Sequence, residues 1–143
     1  YENIEDFEYM DDVTALVNVE MINEVGAYDQ DFFYDFEETE WNYRMINAGW
    51  RIVYCPNMRV WHRLHGSTGG TKFSSIPEFH HIRGRFLFYH KTQSKSNFLF
   101  FSIKYLLAGI FIRLIILIKN RNTRLIYFNF TGMLSAFKRV ISI

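Results

Sequence analysis

The segment Val25-Gly26-Ala27-Tyr28-Asp29-Gln30-Asp31-Phe32-Phe33-Tyr34-Asp35-Phe36, continuing through Glu37-Glu38-Thr39-Glu40-Trp41-Asn42-Tyr43-Arg44 to Ala48-Gly49-Trp50-Arg51-Ile52-Val53-Tyr54, decides how this chain is read. Gly26 is a helix stop, because glycine takes a left-handed backbone without a Cβ clash. After an aromatic loop, the acids Glu37, Glu38 and Glu40 sit where the positive end of a helix favours negative charge. Trp41, Met45 and Ala48, at i, i+4 and i+7, predict that helix's buried stripe, and Gly49 ends it. Residues 51–54 then predict a short strand and Pro56-Asn57 a bend. Residues 58–63 predict a second extended run in which Met58, Val60 and His62 share a face.

Working outward, residues 14–19 (Thr-Ala-Leu-Val-Asn-Val) read as a strand and residues 20–26 as a short helix. Downstream, Gly66-Ser67-Thr68-Gly69-Gly70-Thr71 predicts a loop of small residues whose backbone donors suit a phosphate. Ser75-Ile76-Pro77-Glu78 has capping-box spacing and starts a helix expected to run to about residue 91. An apolar run covers residues 98–118, with Gly109 expected to break it, and an amphipathic helix is expected over 124–140. The opening is acidic, structureless in composition and lacks Met, so the chain reads as a piece of a longer protein, with no signal peptide visible.

With 143 residues, 49% apolar and 19% aromatic, the chain has enough for a core and is not a disordered tail. Its single cysteine, Cys55, makes no internal disulfide and points to a reducing cytosol. A net charge of +1 conceals a polarity: 14 of the 15 acids lie between Glu2 and Glu40, and all 16 Lys and Arg lie from Arg44 onward. A basic, aromatic-rich body suits nucleic acid or an anionic membrane, since both present dense phosphates. The apolar run favours the membrane and argues against nucleic acid. Lys104 and Arg113 each cost roughly 2.5–3.5 kcal/mol at a bilayer centre. They lie off centre on opposite helix sides and can snorkel to opposite interfaces. Membrane attachment is thus the first expectation and spanning the second.

The order of these signals resembles the second half of the catalytic domain of family 2 glycosyltransferases with the GT-A fold, especially bacterial rhamnosyltransferase-like members. The match rests on Phe36, Glu37, Glu38, Thr39, Trp41, Tyr43, Arg44, Ala48 and Gly49, then on Val60-Trp61-His62-Arg63 and Ser67-Thr68-Gly69-Gly70. The resemblance implies an α/β chain: residues 1–75 as the acceptor-side part of a Rossmann-like GT-A domain, its nucleotide-binding half absent, and residues 76–143 as a basic, apolar, membrane-associated helical tail.

It also implies an inverting transfer from a nucleotide-sugar donor to a cell-surface polysaccharide or lipid-linked acceptor, at the cytoplasmic face of the membrane. Such a transfer needs a carboxylate to take the acceptor hydroxyl's proton. The resemblance assigns that role to Glu38, and acceptor binding or positioning to Glu37, Glu40 and Trp41. Glu40 departs from the Asp usual there. His62 and Ser67 fall beside the donor diphosphate and a divalent cation, Mg or Mn, with His62 as a metal ligand. Arg83 and Arg85 resemble the Arg-Asn-Arg of the first tail helix and are candidate phosphate contacts, with Gly84 in place of asparagine. The Asp-x-Asp metal motif is expected in the absent half, and Asp29-Gln30-Asp31 matches it only by coincidence. Two rival readings stand: a metal-dependent hydrolase using Glu37, Glu38, His62 and His65, and a non-catalytic membrane-anchored interaction module.

Overall fold

The computed structural model describes residues 4–11, 13–62, 75–120 and 123–142. In chain order these form β1 (Glu5–Phe7), α1 (Val19–Val25), α2 (Glu37–Asn47), β2 (Ile52–Tyr54), α3 (Ser75–Thr92), α4 (Lys95–Asn120) and α5 (Thr123–Ile141). Helix predominates, and the two short strands make one antiparallel pair. This overturns the expected Rossmann-like α/β domain, which needs parallel strands joined through crossover helices. No such unit occurs among the described residues. By contact, the chain divides into two units, Tyr1–Phe32 with Phe36–Lys72, and Phe33–Asp35 with Phe73–Ile143.

In the first unit, β1 pairs with β2 in the register Glu5↔Tyr54, Asp6↔Val53 and Phe7↔Ile52. Arg51 clamps the Asp6 carboxylate from Nε at 2.7 Å and from a terminal nitrogen at 2.9 Å. Hydrogen bonding from Arg51 holds the Asp6 carboxyl below its usual value. The acidic opening therefore holds a strand that the sequence reading missed. Residues 14–19, expected as a strand, join no ladder: 14–18 are irregular and Val19 begins α1. Residues 58–62 likewise form no strand.

Met21, Trp41, Met45 and Ile52 form this unit's core, with Met10, Val17, Ile22, Val25 and Trp50 packed around them. Asn18 caps α1 by accepting from the Glu20 amide at 2.8 Å. Gly26, at φ +81°, ends α1. Ala48, expected in the buried stripe of α2, is exposed, while Glu40 and Asn42 are buried beside Trp41 and Met45.

In the second unit, α3 packs chiefly on α5. Phe86 and Leu87 are fully buried, and Ile82, Met133 and Ala136 are buried as well. The Phe86 ring meets Phe101 at 5.1 Å, Tyr105 at 5.0 Å and Phe137 at 5.4 Å. Gly132 allows the close helix approach, because a Cβ there would lie 2.6 Å from the Phe79 carbonyl oxygen. α4 runs unbroken through Gly109, against expectation. Among the described residues no helix is long and apolar enough to cross a membrane, so spanning gains no support.

Candidate functional site

The acids of the deciding segment enter the first turn of α2 through an unusual backbone. Phe36, the residue before the helix, has φ +73° and caps it with no side-chain hydrogen bond. A left-handed conformation at a bulky residue costs on the order of 1–3 kcal/mol and persists only where its surroundings fix it. Here the Phe36 carbonyl accepts the Glu40 amide at 2.9 Å, which starts the helix.

Contacts from Glu40, Trp41, Asn42 and Arg44 then fasten α2 to the chain before it. Glu40, 5% exposed, accepts from Arg44 Nε at 2.7 Å. The same guanidinium donates to the carbonyls of Val25 and Ala27. Trp41 Nε1 donates to Gly26 O at 2.9 Å, and the Trp41 ring packs on Tyr28 at a centroid distance of 4.6 Å. Asn42 Nδ2 donates to Met10 O at 2.8 Å. Glu40 and Trp41, read from the sequence as acceptor-binding or positioning residues, are buried here and hold α2 in place. A sugar needs an open ring face to stack on, and Trp41 offers none.

Glu38 has a different environment. It is half-buried, and its Oε1 accepts from the Tyr9 hydroxyl at 3.0 Å. Burial first, and then Glu38, pushes the Tyr9 phenol up to about 12, because ionisation would set a phenolate against a carboxylate. Tyr9 therefore remains a donor to Glu38 across the working pH range. Tyr9 also lines an open cleft of about 710 Å³, walled by apolar residues such as Met10, Leu16, Met21 and Ile52 with Asp11, Thr14 and Arg51 among them. Glu38 itself is not in that wall, and it connects to the cleft through Tyr9. Glu37 is half-buried one residue before it.

His62 is exposed, two residues past Val60, which does line the cleft. No contact joins His62 to Glu38 among the described residues. Nor, among those residues, does any group of three or more His, Cys, Asp or Glu gather to hold a metal ion. Ser67 and His65 lie outside the described residues.

Arg83 and Arg85 are half-buried on α3, in the second unit. A terminal nitrogen of Arg85 lies 2.6 Å from His81 Nε2, and His81 Nδ1 lies 2.5 Å from Asp35 Oδ2. A guanidinium only donates, so Nε2 accepts and the ring proton sits on Nδ1, facing Asp35. Nearby, His80 packs on Phe33 at 5.0 Å, and burial followed by Arg83 lowers its pKa. Sequence reasoning missed Tyr9 and the Asp35–His81 pair, since partners 29 and 46 residues apart leave no local pattern.

No family model matches this chain, and no curated protein or solved structure matches it either.

Proposed function

We propose that this chain carries the acceptor-side part of an inverting glycosyltransferase site, with Glu38 as the base that takes the acceptor hydroxyl's proton. The observation that carries this reading is the setting of Glu38: a half-buried carboxylate on the first turn of α2, one oxygen held by Tyr9, beside a cleft. The in-register run from Phe36 to Gly49 supports it, as does the division of labour within that run. Glu40, Trp41 and Arg44 fix the helix, which leaves Glu38 for chemistry.

In such a reaction the acceptor oxygen attacks the anomeric carbon, the bond to the donor diphosphate breaks, and the proton passes to the carboxylate. Tyr9 holds Oε1, so Oε2 is the oxygen assigned to the proton. The donor is a nucleotide sugar and the acceptor a saccharide or lipid-linked saccharide. The test is transfer from a nucleotide-sugar donor by the protein that carries this chain. Glu38→Gln is expected to lower turnover by about 10²-fold or more while donor binding is retained. Equal turnover in the variant removes Glu38 from the reaction.

A further inference from the structure

We infer that the second unit docks on an anionic lipid surface through one face of α4, lying in the interface rather than crossing it. Leu99, Phe100, Ile103, Leu107 and Phe111 are 60%, 69%, 49%, 65% and 67% exposed. At 100° per residue they fall on one side of the helix, opposite the side where Ser102 is buried and Tyr105 meets Phe86. Over residues 98–105 the opposite face of α4 is spent on the unit's own core, whereas these five side chains, among the described residues, form an apolar strip left open to solvent.

Charge names the occupant. All the Lys and Arg except Arg44, Arg51, Arg59, Arg63 and Lys72 lie beyond Glu78, and no Asp or Glu occurs after it. A segment with only positive charges repels a second copy of itself and is attracted to a surface of the opposite sign. Nucleic acid also offers negative charge but has no use for five exposed apolar side chains in a row. A bilayer interface takes both: apolar residues enter the acyl boundary while cations meet the headgroups. Exposed Lys104, at the flank of the strip, has a stem long enough to reach the headgroup level.

The experiment is flotation of the whole chain with vesicles of phosphatidylcholine alone or with added phosphatidylglycerol. Binding is expected only with the anionic lipid and is expected to weaken as salt rises, on the order of fivefold per cation engaged. Phe100→Ser with Leu107→Ser should weaken binding by about tenfold or more. Both sites are exposed, so an unchanged circular dichroism spectrum and melting midpoint show that the variant folds. Four results overturn the inference: equal binding to neutral vesicles, full binding by the double variant, resistance to alkaline carbonate extraction, or self-association abolished by the double variant with no vesicle binding.

Discussion

The Tyr9 hydroxyl reaches 29 residues along the chain to donate to Glu38 Oε1 at 3.0 Å, linking the segment after β1 to the first turn of α2. The phenol is held neutral by burial and by the carboxylate it serves, with its pKa raised from 10.0 to about 12. Between those values the unfolded chain loses this proton while the folded chain keeps it. Stability should therefore fall as pH rises from 10.0 towards about 12. Tyr9→Phe is expected to flatten that alkaline decline and to remove one late-titrating tyrosine from a tyrosinate absorbance titration.

Arg44 ties Glu40 to the loop carbonyls of Val25 and Ala27, and removing it strands a buried carboxylate. Arg44→Met is expected to cost about 3 kcal/mol, read as a lowered urea midpoint. Arg44→Lys should recover only part of this, because an ammonium lacks the planar fork that meets three acceptors at once.

Gly132 lies where a side chain would strike the Phe79 carbonyl oxygen at 2.6 Å. That neighbour is backbone and cannot swing aside. Gly132→Ala should thus destabilise by about 1–3 kcal/mol despite alanine's better helix propensity, with the loss visible as a lower melting midpoint.

His80 is shifted downward, first by burial and then by Arg83. The unfolded imidazole takes a proton near 6.5, whereas the folded one does so only at lower pH. In that window the unfolded state binds more protons, so stability declines as pH falls through it. His80→Phe keeps a ring against Phe33 and should remove this acid-side decline in denaturant midpoints measured across the same range.

The helices were legible because their signals are local. The acids before Trp41, the stop at Gly49 and the period of 3.6 around Trp41 and Met45 located α2, which spans Glu37–Asn47. The capping-box spacing at Ser75 located α3, and the amphipathic pattern located α5. What failed depended on partners. Residues 14–18 have a strand's composition, but a strand exists only beside another, and none pairs with them. The same limit applies to the candidate site. The resemblance singled out Glu38, while the spacing alone did not distinguish it from Glu40, which the fold buries against Arg44. Tyr9 was invisible, because a hydroxyl partner across a loop leaves no periodic trace.

The meeting of Phe79 with Gly132 also sets an order of events. During synthesis α3 leaves the ribosome long before α5, and α5 brings the surface against which Ile82, Phe86 and Leu87 are sealed. Until α5 emerges, α3 is a nascent segment with an adhesive flank, the sort of surface chaperones grip. A stop codon ahead of Gly132 would make that passing state permanent, so such truncations should collect in inclusion bodies rather than yield a shorter folded unit.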